Sequence, residues 1–77
     1  MKLMIRNLAR TTTEAQIRTL FEEFGSVQSC TLVMDKTTGV SKGFGFVDLP
    51  KPGEAKAAMK NINGKEIDGS KVRVKNA

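Results

Sequence analysis

One stretch of the chain, residues 42–49, has two chemically different faces if it is extended. Successive side chains of a strand point to opposite sides, so alternate residues share a face. One face carries Lys42, Phe44, Phe46 and Asp48, and the other carries Gly43, Gly45, Val47 and Leu49. Lys and Asp are rarely buried without a partner, whereas Val, Leu and Gly enter a core at no polar cost. We therefore expect Val47 and Leu49 to face a core and the two phenylalanines to face solvent.

Two neighbouring aromatic side chains on the solvent side of a strand are an uncommon use of apolar residues. Single exposed apolar residues need no explanation, but a contiguous apolar patch usually marks a binding surface. Phe44 and Phe46 are also flanked by the cation of Lys42. The stretch therefore predicts a strand that is held on a core by one face and binds a ligand with the other.

The size and charge of the chain narrow the kind of ligand. A chain of 77 residues is near the lower limit for folding on its own core, so residues 1–77 are predicted to form one domain. The formal net charge of +5 favours an anionic partner such as nucleic acid. A single cysteine excludes an internal disulfide, and the lack of histidine removes the usual zinc ligand and general base. We therefore expect no metal, no cofactor and no enzymatic activity.

The distribution of apolar residues bears on the location of the protein. No apolar run has the length of a signal-peptide core or a membrane span. We therefore expect no membrane association and an intracellular protein, in the cytoplasm or alternatively in the nucleus. The expected state is a monomer.

The first third of the chain predicts a strand followed by a helix. Residues 2–8 alternate, with apolar side chains on one parity and Lys2, Met4 and Arg6 on the other. Thr13 followed by Gln16 matches a capping box that starts a helix at residue 14. Gly25 suits the left-handed position that ends many helices. The apolar stripe of this helix is predicted to lie in the core and consists of Ile17, Leu20, Phe21 and Phe24.

The second strand is predicted over residues 27–34, with Val27, Cys30, Leu32 and Met34 facing inward. The spacing between Val27 and Cys30 breaks the alternation, which predicts either a bulge or a strand that begins near Gln28. Cys30 then acts as a small buried apolar residue. A polar hairpin loop over residues 35–41 joins this strand to residues 42–49. This loop is long enough to touch a ligand, although it can equally be a solvated connection.

The last third predicts a second helix and a final strand. Pro50 and Pro52 end the preceding strand, and a poorly capped helix is expected over residues 53–61. Its thin apolar face consists of Ala55, Ala58, Met59 and Ile62. Asp68 with Gly69 predicts a turn, and residues 71–75 alternate strictly, with two valines inward and Lys71, Arg73 and Lys75 outward.

Three of these strands have one apolar and one basic face, which an antiparallel sheet produces when helices cover only one side. We call the uncovered side the open face. Its predicted members are Lys2, Met4, Arg6, Lys42, Phe44, Phe46, Asp48, Lys71, Arg73 and Lys75. The predicted open face has six cations and one carboxylate, which gives it a charge of +5. The open face is therefore predicted to carry the whole net charge of the chain. Aromatic rings among cations suit single-stranded nucleic acid, because bases stack on rings and cations meet phosphates.

Residues 42–49 also resemble the eight-residue ribonucleoprotein motif of the RNA recognition motif family, a cation, Gly, aromatic, Gly or Ala, Phe, Val, any residue and a final aromatic. Leu49 is the one departure, and it faces inward. Residues 3–8 are similar to the six-residue companion motif on the first strand. The resemblance implies a ferredoxin-like βαββαβ sandwich of the α+β class, with a four-stranded antiparallel sheet, its first and third strands central, and both helices on one face.

The resemblance further implies a set of residues that bind single-stranded RNA. Phe44 and Phe46 would stack on bases, and Lys42 would contact a phosphate or sugar. Met4 stands where the family usually has an aromatic residue, which implies weaker or less selective binding. The full predicted site is Lys2, Met4, Arg6, Asn7, Lys42, Phe44, Phe46, Lys71, Arg73 and Lys75.

Three alternatives remain open from the sequence. A protein–peptide interaction module of the same fold is favoured by Met4 in place of an aromatic ring, and disfavoured by the basic open face. Single-stranded DNA is a nearer alternative, because nothing in these residues distinguishes a ribose from a deoxyribose. An acylphosphatase-like enzyme on a similar topology is a distant third, since no glycine loop pairs with a catalytic side chain.

Overall fold

The computed structural model describes residues 1–77, which form two helices and six strands in the order of a βαββαβ unit with an additional short hairpin before the last strand. The elements are β1 (Lys2–Arg6), α1 (Glu14–Glu22), β2 (Ser29–Met34), β3 (Ser41–Asp48), α2 (Pro52–Ile62), β4 (Glu66–Ile67), β5 (Ser70–Lys71) and β6 (Arg73–Asn76).

Four strands form one antiparallel sheet in the order β2-β3-β1-β6. The first and third strands of the chain are therefore central, as the family resemblance implied. Across the β1–β3 pair, Met4 lies opposite Phe46 and Arg6 lies opposite Phe44. The short strands β4 and β5 form a separate hairpin around Asp68 and Gly69, which have φ angles of 50° and 82°. Two consecutive positive φ angles are typical of the tightest hairpin turns.

The core lies between one face of the sheet and the two helices. The inward side chains Leu3, Ile5, Val47 and Leu49 are completely buried, whereas their chain neighbours on the opposite parity are exposed or half-buried. The helices contribute Ile17, Phe21, Ala55, Ala58 and Ile62, and the end of the chain contributes Val72 and Val74. Phe24 and Met59 are half-buried against this core. The parity predicted for residues 42–49 is confirmed, and so is the α+β class with both helices on one face.

The start of each helix follows from its local sequence. At α1, the Thr13 hydroxyl accepts the Gln16 backbone N–H at 3.2 Å, and the Gln16 side chain accepts the Thr13 N–H at 2.7 Å, which confirms the capping box. At α2, Lys51 occupies the cap position without a side-chain hydrogen bond, and Pro52 begins the helix. Proline is compatible with a first turn because its missing N–H has no partner there.

Gly25 does not take the left-handed conformation that the sequence predicted, and that prediction is wrong. The chain leaves α1 through Glu23 in a right-handed conformation, and the Phe24 N–H donates to the Phe21 carbonyl at 3.0 Å. A Cβ at Gly25 would collide with the side chain of Glu54, whose carboxylate accepts the Ser26 N–H at 3.2 Å. Glycine is thus required by the close approach of α2 and not by its own backbone angle.

The edge strand β2 departs from the prediction at both ends. It begins at Ser29, close to the alternative start near Gln28, and its pairing with β3 becomes irregular between Leu32 and Met34 instead of after Val27. Met34 was expected to be buried but is 46% exposed. The helix α1 reaches this edge through the Glu14 carboxylate, which accepts the Leu32 N–H at 2.9 Å, and Met34 lies beyond that contact.

The predicted burial of Cys30 is confirmed at 8% exposure. Its thiol lies 3.7 Å from the Glu14 carbonyl oxygen, to which it donates. Burial raises the pKa of the Cys30 thiol, and the nearby Glu14 carboxylate raises it further. The thiol therefore serves as a small apolar residue in the core.

No helix is long and apolar enough to cross a membrane.

Candidate nucleic-acid interface

Two glycines of β3 determine where the aromatic side chains of the open face lie. A Cβ at Gly45 would be 2.5 Å from the Thr31 carbonyl oxygen and 3.2 Å from the Leu32 Cα, so β2 and β3 approach each other too closely for any side chain. Gly43 has a φ of 84°, and its carbonyl accepts the Leu8 N–H at 2.8 Å. The strand can turn at Gly43 only because that residue lacks a Cβ. These glycines fix the backbone on either side of Phe44.

Phe44 and Phe46 form an edge-to-face pair on the open face. Their ring centroids are 6.2 Å apart and the rings are inclined by 88°. Both side chains are half-buried, because each ring shields the other and Met4 lies beside Phe46 across the strand pair. This arrangement leaves aromatic surface accessible, so each phenylalanine has a face or an edge for a ligand.

Basic side chains surround the aromatic pair. The Lys2 ammonium lies 5.2 Å from the centre of the Phe46 ring, which is within cation–π range. Arg6 lies opposite Phe44 on one side and opposite Arg73 on the other, and Lys75 lies opposite Met4. Lys42 is exposed at the start of β3. The sheet register thus brings together most of the predicted site around the two rings.

None of these cations is neutralised by the protein. The open face carries five basic side chains and the single carboxylate of Asp48, and no Lys or Arg side chain forms an ion pair with a carboxylate. The uncompensated charge therefore remains available to an anionic ligand.

A cavity of about 400 Å³ opens beside Phe44, where β1 ends and β3 begins. Three cations line it, Arg6, Arg10 and Lys42, and we call it the basic cavity. Arg10 was not predicted, because the alternation of strands carries no information about a loop residue. The Arg10 guanidinium donates to the Ser41 carbonyl oxygen at 3.0 Å, which holds it at the start of β3. A basic residue in the loop that follows the first strand was the only sequence signal available.

Asn7 also lines the basic cavity, but part of its side chain is already bound. Its amide nitrogen donates to the Lys71 carbonyl oxygen at 2.6 Å, and its φ is 61°, a left-handed angle that asparagine tolerates. The side chain thus ties the end of β1 to β5. Its carbonyl oxygen has no hydrogen bond within the protein.

Lys71 is the one predicted open-face residue that lies outside the four-stranded sheet, although its carbonyl oxygen accepts the Asn7 amide. It pairs with Glu66 in the small hairpin and not with the four-stranded sheet, and a Cβ at Gly64 would be 3.7 Å from its Cε. The chain leaves β5 before it joins β1, because the alternating segment is divided at Val72. The prediction that one strand carries all three basic residues of this segment is wrong. The open face therefore has five cations instead of six.

A second cavity, of about 330 Å³, lies at the edge of the sheet that β6 forms. It is lined in part by Arg6, Arg73 and Lys75. Asn63 also lines it and accepts the Val74 N–H at 3.1 Å through its side-chain oxygen. This bond caps the outer edge of β6, much as Glu14 caps the edge of β2. Both edges of the sheet are thus partly closed, and the basic side chains remain accessible from the open face.

The loop between β2 and β3 is held by its first residue. The Asp35 carboxylate accepts the Thr37 N–H at 2.8 Å and the Thr38 N–H at 3.1 Å. The two backbone donors, that of Thr38 first, lower the pKa of Asp35 below its ordinary value of 3.8. Gly39 closes the turn with a φ of 72°.

No group of three or more His, Cys, Asp and Glu side chains is placed to hold a metal ion.

The sequence matches the family described as the RNA recognition motif over residues 3–73. It is 42% identical over 74 residues to the RNA-binding protein CP29B, chloroplastic, of Arabidopsis thaliana, which covers 96% of this chain and only 26% of that protein. It is 50% identical over 70 residues to nucleolin of Gallus gallus, which covers 91% of this chain and 10% of that protein. The chain thus spans only about a quarter of the length of the first relative and a tenth of the length of the second.

Solved structures agree with the sequence comparison. The crystal structure of RNA-binding protein PG1 has a TM-score of 0.96 and 32% identity, covering 100% of this chain and 93% of that one. A Sxl-lethal protein/RNA complex has a TM-score of 0.94 and 28% identity, covering 99% of this chain and 46% of that one. The chain therefore belongs to the RNA recognition motif family.

Proposed function

We propose that the open face binds single-stranded RNA without catalysing a reaction. Bases stack on Phe44 and Phe46, and the neighbouring Lys and Arg side chains bind phosphates. The observation that carries this proposal is the pair of accessible rings, 6.2 Å apart, among cations that have no ion-pair partner. Stacking on an aromatic side chain contributes about 1–3 kcal/mol per base, and it tolerates any base because every base has a π-face.

The position of the charge supports an extended polyanion over a small anion. The cations are distributed across β1, β3 and β6 and continue into the basic cavity, so a ligand that meets most of them must span the sheet. A nucleic-acid strand has this form, and each neutralised phosphate releases counterions. The binding should therefore weaken steeply as salt is raised.

The comparisons support RNA as the polyanion. One relative is named an RNA-binding protein, and one structural neighbour was solved as a complex with RNA. The binding unit that we propose is a monomer of residues 1–77, and the family match covers residues 3–73 of it. The cellular compartment stays a prediction, because relatives include a chloroplast protein and a mitochondrial protein.

A titration of labelled eight-nucleotide RNA of random sequence, monitored by fluorescence anisotropy, tests the proposal. The double variant Phe44→Ala, Phe46→Ala should bind at least about fivefold more weakly, because it loses at least one stacking contact of about 1 kcal/mol or more. Met34→Ala is a matched control, since it removes an apolar side chain that is 46% exposed but lies off the open face. Equal affinities for the wild type and the double variant would overturn the proposal.

The same assay separates the two alternatives. Matched DNA of the same length should bind more weakly if the 2′-hydroxyl is contacted, and equally well if only stacking and phosphates matter. A peptide ligand would occupy the face through apolar contacts, so its affinity should hardly respond to salt. Amide chemical shifts in β1 and β3 during each titration locate the ligand on the open face or elsewhere.

A further inference from the structure

We propose that Arg10 is an RNA-binding residue and that the basic cavity is a phosphodiester site beside the base stacked on Phe44. This inference rests on the proposed function and extends it beyond the sheet. It adds a loop residue to the interface, and it assigns to Arg6, Arg10 and Lys42 a shared ligand group instead of independent contacts.

The Arg10 side chain is partly fixed in the free protein. A free arginine side chain on a surface loses considerable rotamer entropy when it binds a ligand. Arg10 has already lost part of that freedom, because one nitrogen donates to the Ser41 carbonyl oxygen at 3.0 Å. Its Nε also lies close to Gly43, 3.8 Å from where a Cβ would stand. A guanidinium has five N–H donors, so most of them remain for a phosphate.

The side chains that line the basic cavity carry positive charge only. Three cations line the basic cavity and no acidic side chain does. Glu14 lines a neighbouring cavity together with Arg10, but its Oε2 atom already accepts the Leu32 N–H and it forms no ion pair with Arg10. Cations that share a cavity repel one another, and a bound anion removes that repulsion. The cavity therefore favours an anionic group over a neutral one.

The position of Phe44 indicates which anionic group the basic cavity binds. The Phe44 side chain forms one wall of the basic cavity, so a base on that ring places its own backbone next to the three cations. Arginine binds phosphate oxygens in a bidentate geometry that a lysine ammonium cannot reproduce. A phosphodiester of the stacked strand thus fits both the position and the donors. A glutamate-rich peptide has the same charge but no base for the ring.

Three variants of the whole chain test the inference: Arg10→Ala, Arg10→Lys and Arg18→Ala. Arg18 lies on α1 away from the cavity, and its removal changes the net charge by the same amount. The measurement is the affinity for the eight-nucleotide RNA at several salt concentrations. Arg10→Ala should weaken binding about five- to tenfold and reduce the slope of log affinity against log salt by about 0.7, the value for one phosphate contact on a single strand. Arg18→Ala should leave that slope unchanged.

Arg10→Lys separates a positioned guanidinium from a charge. We expect it to keep the wild-type salt slope and to bind about threefold more weakly, because an ammonium cannot hold Ser41 and chelate a phosphate together. Equal slopes for Arg10→Ala and Arg18→Ala would overturn the inference, and so would wild-type affinity for Arg10→Lys. Loss of a glutamate-rich peptide, with no change in RNA binding, would assign the cavity to peptides and also overturn it.

The proposed function is tested separately in this design. If wild-type protein binds RNA and the Phe44→Ala, Phe46→Ala variant does not, the proposed function stands whatever Arg10 does. If wild-type protein does not bind RNA, both fail together. Thermal unfolding of each variant excludes loss of the fold as the cause of a weaker affinity.

Discussion

The two ends of the open face use the same residue types in different ways. At the end around Phe44, three cations border a cavity and no carboxylate is present. At the end around Phe46, the Lys2 ammonium lies over the ring. Lys2 is also opposite Asp48 in the register of β1 and β3, without an ion pair between them. We call these the Phe44 end and the Phe46 end. The cations of the Phe44 end contact neither a ring nor a carboxylate in the free protein, and only Arg10 has a hydrogen bond, to the Ser41 carbonyl oxygen. Lys2, in contrast, already lies over a ring, and its neighbour in the strand register is the acidic residue Asp48.

The difference matters because a group gains less from a ligand when the free protein already satisfies it. A cation–π contact at an exposed site contributes about 0.5–1 kcal/mol, and a base that stacks on Phe46 displaces Lys2 or shares the ring with it. Cations at the Phe44 end lose no such contact. If the open face binds RNA as we propose, we therefore expect most of the net electrostatic gain at the Phe44 end, and we expect stacking to be the main contribution at the Phe46 end.

Gly45→Ala should disturb both ends of the open face. Gly45 lies between Phe44 and Phe46 in β3, so the positions of both rings depend on it. Its Cβ would stand 2.5 Å from a backbone oxygen of β2, which cannot move without breaking the strand pair. Overpacking of this kind costs about 1–3 kcal/mol, and we expect the upper part of that range because the obstacle is backbone. Urea unfolding monitored by circular dichroism measures the loss.

Gly53→Ala is the matched control for that change. Gly53 lies in the first turn of α2, and a Cβ there meets nothing within 4 Å. Alanine in a helix is more favourable than glycine by about 0.5–1 kcal/mol, so this variant should be slightly more stable than the wild type. Equal stabilities of the two variants would show that β2 and β3 separate without difficulty, and that the glycine does not fix the rings.

The sequence alone could predict those parts of the molecule that depend on neighbouring residues. The two faces of β3 follow from alternation, and the start of α1 follows from Thr13 and Gln16, which bond to each other. Gly25 shows the limit of this reasoning. Its small size is required by Glu54, a residue of another helix, and no local pattern contains that information.

The residues of the candidate site also fall into two groups, those that local sequence pattern could predict and those that it could not. The residues of β1 and β3 could be assigned to the open face because strand parity is a local property. Lys71 could not be placed, because the alternating segment continues through a division between two sheets. Arg10 could not be found, since its position depends on a hydrogen bond to Ser41, far away in the sequence. Loops acquire their positions from tertiary contacts, and sequence periodicity does not describe these.

Met4→Phe should strengthen RNA binding at the Phe46 end. Met4 lies directly opposite Phe46 across the strand pair and is half-buried, so a ring can occupy its place without entering the core. A third aromatic surface should increase RNA affinity by about 1 kcal/mol, roughly fivefold, which is the low end for stacking on one base. The anisotropy titration measures it. An unchanged affinity would mean that no base reaches the β1 side of the pair.

Lys42→Gln and Lys2→Gln compare the two ends directly, because each removes one cation. Lys42 has no partner, so its loss should reduce the salt slope by about 0.7 and the affinity about threefold. Lys2→Gln should cost less, because it also uncovers the Phe46 ring. Titrations of both variants at several salt concentrations test the order. A larger loss for Lys2→Gln would reverse our view of which end gains more from charge.

The smallest effect that we expect concerns the loop beside the Phe44 end and depends on pH. The Thr38 and Thr37 backbone donors lower the pKa of Asp35 below 3.8, so the carboxylate is stabilised by the fold. A lowered pKa means that this stabilisation is complete above pH 3.8 and is lost as pH falls through the lower value in the folded protein. Hydrogen exchange of the two threonine amides should therefore accelerate over that acid range.

Asp35→Asn keeps a side-chain oxygen acceptor without a titrating group, so its threonine amides should lack this acid transition. If the amides of both proteins respond identically to acid, Asp35 does not hold the loop, and Lys42 is positioned by the turn at Gly43 alone.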